Sequence, residues 1–113
     1  MAFEQETKAA LRILDGITEA TMSTSDSIDL VENADPALIY LLFTWIRHRY
    51  GPSHPASDAV LGRLVEISNR PAVAAKMKEG QEDPVVEWFE DGYSYRDLDA
   101  HAFVALIIEK LEG

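Results

Sequence analysis

Apolar residues recur at spacings of three and four along most of this 113-residue chain, the period of an amphipathic helix. Ala10, Leu14 and Ile17 form such a row with Phe3 ahead of them. Glu4, Lys8, Arg12, Asp15 and Glu19 fall largely elsewhere. The spacing predicts a first helix over about residues 3–21. Thr21 to Ser27 is rich in Ser and Thr and reads as a break. Residues 28–32 offer at most a short turn of helix, so 21–34 is expected to be an irregular connection.

Asp35-Pro36 is a helix-start signal. Asp can accept from the unbonded N–H groups of a first turn, and proline suits a position whose N–H has no partner. This helix is expected to run to about Tyr50 and to stop at Gly51-Pro52. His54-Pro55 opens the next, with Val60, Leu61, Leu64, Val65 and Ser68 on one face. Asn69-Arg70-Pro71 ends it and starts a short helix over about 71–79, closed by Gly80. Asp83-Pro84 repeats the cap-then-proline signal before Val85 to Glu90. Ser94-Tyr95-Arg96-Asp97 has the spacing of a capping box, with Asp in place of Glu. It predicts a last helix from about Tyr95 to Leu111, whose Phe103 to Ile108 stretch is apolar all round and therefore central.

No strand pattern competes. The chain is read as all-α, a compact single-domain bundle of five or six helices spanning residues 1–113. The segments that open Asp35-Pro36 and Asp83-Pro84 echo each other for seven residues, but their flanks differ. A shared helix-opening device explains the match better than a repeat.

Composition narrows this further. Hydrophobic residues make up 47% of the chain, enough to build a core. There is no cysteine, which excludes disulfides, cysteine-based metal centres and a thiol nucleophile. A reducing, cytoplasmic setting is expected. Met1 to Ala10 carries Glu4 and Glu6 and no apolar run, so it does not read as a signal peptide. The longest apolar stretch is Ala37 to Ile46, broken by Thr44. Ten helical residues span about 15 Å, half of a bilayer core, so this reads as a buried helix and not an anchor.

The formal net charge is −10, unevenly spread. Residues 1–35 hold eight acids and two bases, 36–78 two acids and six bases, and 79–113 ten acids and two bases. An acidic chain repels nucleic acid and anionic membrane, so neither is expected as a partner.

Two surfaces stand out. On a helix, Tyr40, Thr44, Arg47 and His48 share one face, with His54 just beyond. Arg pairs with carboxylate or phosphate through a charge-assisted fork, so this stripe is a candidate anion-binding or catalytic site. The plainer account is that Arg47, His48 and Arg49 compensate a helix C-terminus or pair with the acidic flanks. The second surface is Glu87, Trp88, Asp91, Tyr93 and Tyr95, aromatic residues within an acidic run. Aromatics rimmed by charge are the composition of an interface anchor, and equally of a short helix pinned to a core.

His48, His54 and His101 show no metal-ligand spacing, and the acidic run lacks the calcium-loop pattern. Asp97 and His101 would lie one helical turn apart, which more often gives a surface pair than a catalytic one. No Gly-rich phosphate loop or nucleophile elbow is present. No metal, cofactor or catalytic residue is therefore assigned. In composition alone the chain resembles secretion chaperones, toxin-immunity proteins and small regulatory adaptors. The expectation is a non-enzymatic protein–protein interaction module. Its partner would be another protein with a basic surface, or a second copy. The alternative is a helical domain that binds or transforms a small anion through Tyr40, Arg47 and His48.

Overall fold

The computed structural model describes residues 2–91 and 93–112, and the side chains of all these but 2–4, 93 and 94. The chain forms α1 (Ala2–Thr18), α2 (Thr24–Glu32), α3 (Pro36–Arg49), α4 (Ser57–Ser68), α5 (Pro71–Gln81), α6 (Pro84–Asp91), a 3-10 turn (Tyr93–Asp97) and α7 (Ala100–Glu112). The all-α class stands, with seven α-helices among the described residues where five or six were expected.

Proline opens three of them, and aspartate caps two of those. Asp35 Oδ1 accepts from the Ala37 N–H at 2.9 Å, and Asp83 Oδ1 accepts from the Val85 N–H at 2.8 Å. The echo between the two segments is thus one capping device used twice.

The extra helix is α2, inside the stretch expected to be irregular. Ser23 takes the N-cap and accepts from the Asp26 N–H at 3.1 Å. Ser27, Ile28 and Val31 then face the core at helical spacing. The same Ser and Thr residues that suggest a break supply the cap, because a hydroxyl that competes with helix interiors favours helix starts. α1 correspondingly ends at Thr18, and Ala20 adopts a left-handed conformation (φ 54°) that breaks the helical path.

The last helix also starts later than expected. Asp99 Oδ1 accepts from the Ala102 N–H at 2.8 Å, so α7 is capped there, and residues 93–97 form the separate 3-10 turn. The Ser94 side chain lies outside the described residues. Within α7, Phe103, Val104, Ile107 and Ile108 are buried but Ala105 is exposed, so one face meets solvent. In α4 the buried row is Val60, Leu64 and Ile67, and Val65 is exposed.

α3 is the central element. It contacts α1, α5, α6, α7 and the 3-10 turn. From Ala37 to Ile46 only Tyr40 and Thr44 escape full burial. That explains its weak hydrophobic asymmetry, since a helix surrounded by others has no polar side. Against it, α5 packs tightly at Gly80, which is buried. A Cβ built on Gly80 would lie 2.2 Å from the Pro36 carbonyl oxygen, so the approach depends on glycine.

At the other end an aromatic cluster joins α3, α6, the 3-10 turn and α7. Phe103 lies 6.3 Å from Trp45, 5.8 Å from Phe89 and 5.3 Å from Tyr95, measured between ring centroids. Phe89 meets Tyr95 edge-on at 5.6 Å. These are the offset and edge-to-face distances that aromatic quadrupoles favour. Trp45 Nε1 and the Arg49 guanidinium both donate to the Leu98 carbonyl, at 3.1 and 2.9 Å. No described helix is long and apolar enough to cross a membrane.

Candidate functional site

Three of the six cations in the basic middle of the chain, Arg49, Arg63 and Lys76, bond backbone carbonyls. Arg63 on α4 donates to the Ile17 and Thr18 carbonyls at 2.6 and 3.2 Å. These oxygens belong to the last turn of α1, which has no basic residue of its own. A helix C-terminus leaves such carbonyls without intrahelical partners, and a guanidinium satisfies two at once. Lys76 on α5 likewise donates to the Ala34 carbonyl, in the link between α2 and α3. Arg49 divides its charge between the Leu98 carbonyl and the Trp45 ring, 4.9 Å from its centroid. Among described residues the ion pair formed is Arg96 with Glu90, at 3.3 Å.

This division gives a direct prediction. Arg63→Met keeps most of the aliphatic stem and leaves two carbonyls without their donor. Urea denaturation should show a loss of about 1–3 kcal/mol, as expected of a hydrogen bond to a charged group. Arg47→Met should stay within about 0.5 kcal/mol, since Arg47 is exposed and bonds no described residue.

The Tyr40 stripe does not converge on one cavity. The Thr44 hydroxyl donates to the Tyr40 carbonyl at 2.9 Å, one turn back on its own helix. Arg47 and His48 are exposed at the end of α3. His54 lies in the following turn, where its Nδ1 accepts from the Ala56 N–H at 3.0 Å and its ring packs 4.5 Å from Tyr50. This is the local chemistry of a turn leading into α4. His101 is exposed on the first turn of α7, and Asp97 belongs to the preceding 3-10 turn, so the two share no helix. Among the described residues no group of three or more His, Asp or Glu is arranged to hold a metal ion.

Tyr40 instead faces the acidic surface. It lines an open notch with Gln81, Val86, Glu87, Glu90 and Asp91, where α3, the end of α5 and α6 meet. The two surfaces singled out in the sequence therefore touch within one chain, at Tyr40 and not at Arg47. Helical spacing places Val86 and Glu90 one turn apart on the α6 face turned to α3. Those two and Gln81 were missed, because only the packing of α6 on α3 brings them to Tyr40.

Trp88 is 52% exposed, although tryptophan is usually well buried. Its ring meets Phe89 edge-on at 5.0 Å, and the Lys110 ammonium sits 4.3 Å from its centroid. Glu87 and Asp91 beside it are exposed. Tyr95 is corrected from the expected interface to the core. It is 3% exposed, because its ring stacks on Phe103 and meets Phe89 edge-on. The Tyr93 side chain lies outside the described residues.

Comparison with protein-family models, with curated proteins and with solved structures returns no match to this chain.

Proposed function

We propose that this chain is a cytoplasmic, non-enzymatic protein–protein interaction module, of the kind used by adaptors, chaperones or immunity proteins. It holds a basic segment of a partner protein against α6. The observation that carries this reading is the exposure of Trp88 between the exposed carboxylates of Glu87 and Asp91. A large aromatic held on a short, aromatic-braced helix provides contact area at little entropic cost. The notch beside Tyr40 extends this acidic face of α6 toward α3, through Glu87 and Asp91. The acids of α6, Glu87, Glu90 and Asp91, and the net charge of −10 draw a basic partner toward the chain.

The test uses two fluorescent helical peptides with the same leucine positions, one lysine-rich and one glutamate-rich. The lysine peptide should bind and the glutamate peptide should not. Rising salt should slow its association more than it speeds its dissociation. Trp88→Ala should weaken binding by about 30-fold, the loss typical of an aromatic hot spot. Arg47→Glu should leave it unweakened. Equal binding of both peptides, or an undiminished Trp88→Ala variant, overturns the proposal.

The exposed Arg47 and His48 favour one variant of it, in which the basic segment belongs to a second copy. Sedimentation at low salt then shows a dimer that Arg47→Glu disperses.

A further inference from the structure

A cavity of about 290 Å³ lies away from the α6 face, walled by α1, the end of α2, the α2–α3 link, α3 and α7. Its apolar lining includes Ala9, Leu30, Ala34, Leu38, Ile108 and Leu111. The recess opens to solvent along an edge of exposed polar residues and is apolar within. Cavities of about 150 Å³ accept a benzene ring, so this one has room for a ring and a short alkyl chain.

The polar groups at its edge are of one kind. Glu6, Asp35 and Glu112 contribute three carboxylates, all exposed, and no lysine or arginine is among the described residues of the walls. Ionised carboxylates only accept hydrogen bonds. Asp35 spends one oxygen on the Ala37 N–H, and its other oxygen makes no bond to a described residue. Asn33, also in the wall, gives an N–H to the Asp29 carbonyl at 2.8 Å, and its amide oxygen bonds no described residue. Lys76 donates to the carbonyl of Ala34, a wall residue, but its own side chain does not line the recess. A matching occupant has an apolar body for the recess and a positively charged, donor-rich head for the edge.

We propose that this cavity binds a small amphipathic primary amine, with its aryl or alkyl body between α3 and α7 and its ammonium among Glu6, Asp35 and Glu112. The recess is walled by four helices and the α2–α3 link, and its volume matches a free small molecule. The site is independent of the α6 surface, so either proposal can fail alone.

Three probes of one shape separate the contributions: 4-phenylbutylamine, 4-phenylbutanol and 4-phenylbutyrate. They are titrated into the full chain while methyl resonances are followed by NMR. The amine should bind saturably and shift the Leu38, Ile108 and Leu111 methyls. It should bind at least about tenfold tighter than the alcohol, the increment of one charge-assisted hydrogen bond, and the carboxylate more weakly still. Ala9→Leu, which fills the recess from an existing helix, should abolish binding. Should that variant fail to fold, the double variant Glu6→Gln with Glu112→Gln keeps the proposal testable. It leaves the apolar lining intact and should reduce the preference for amine over alcohol to about threefold or less. No saturable binding of the amine, equal affinity for all three probes, or shifts confined to other methyls overturns the proposal.

Discussion

Phe103→Ala is expected to destabilise the fold by about 3–5 kcal/mol, the range for truncating a buried aromatic. Phe103 is fully buried and touches the rings of Trp45, Phe89 and Tyr95. Those three come from α3, α6 and the 3-10 turn, while Phe103 belongs to α7. Its removal therefore leaves a hole where four elements meet, and no single helix can close it by a small shift. Domains of this size are stable by only about 5–15 kcal/mol, so one substitution removes a large share. Urea denaturation followed by circular dichroism measures the loss. Val65→Ala, on an exposed face of α4, serves as control and should change stability by less than about 0.5 kcal/mol. A Phe103→Ala loss as small as the control's means that the four rings do not pack as described.

Gly80→Ala is expected to be the other severe change, despite alanine's better helix propensity. The added Cβ would lie 2.2 Å from the Pro36 oxygen, 2.7 Å from its carbonyl carbon and 3.0 Å from the Tyr40 Cβ. Two of these atoms are backbone in the first turn of α3, which cannot rotate aside as a side chain can. Overpacking of this kind costs about 1–3 kcal/mol and occasionally more, against a propensity gain of about 1 kcal/mol. A net loss of about 2 kcal/mol is expected, from separation of α5 and α3. Gly62→Ala provides the opposite sign. Gly62 is exposed on α4, and a Cβ there meets nothing within 4 Å. It should stabilise by about 0.5–1 kcal/mol. Both are measured by the same denaturation, and two values of equal sign contradict the close approach at Gly80.

Local chemistry was the legible part of the fold. Asp35-Pro36 and Asp83-Pro84 announce their helices because cap and proline act within three residues. Gly51-Pro52 ends α3 for the same reason. α2 was obscured because Ser and Thr carry two opposite meanings. Ser23 is a cap only if a helix follows, and the apolar residues of that short helix, Ile28 and Val31, give too little periodicity to show it. The cap of α7 was misplaced for a related reason, since both Ser94 and Asp99 are capping residue types in one short stretch.

The candidate sites were less legible because their partners are distant in sequence. Arg63 reaches carbonyls 46 and 45 residues away, and Lys76 one that is 42 residues away. No spacing rule marks a backbone oxygen as an acceptor, so nothing in the sequence assigns these two cations a partner. Tyr95 looked like its exposed neighbour Trp88 because only the fold around Phe103 distinguishes them. The recess between α1 and α7 has no sequence signal, since its lining consists of ordinary core residue types.

The carbonyl of Leu98 also governs how the molecule opens. It accepts from Trp45 and Arg49, which stand one helical turn apart on α3. Peeling the start of α7 away must break both bonds together and expose the Trp45 indole nitrogen. Native proteins open locally in contiguous cooperative units. The 3-10 turn and the start of α7 are therefore expected to open as one unit, with Leu98 as its latch onto α3. Amide hydrogen exchange should show the two segments losing protection together, and faster in an Arg49→Met variant.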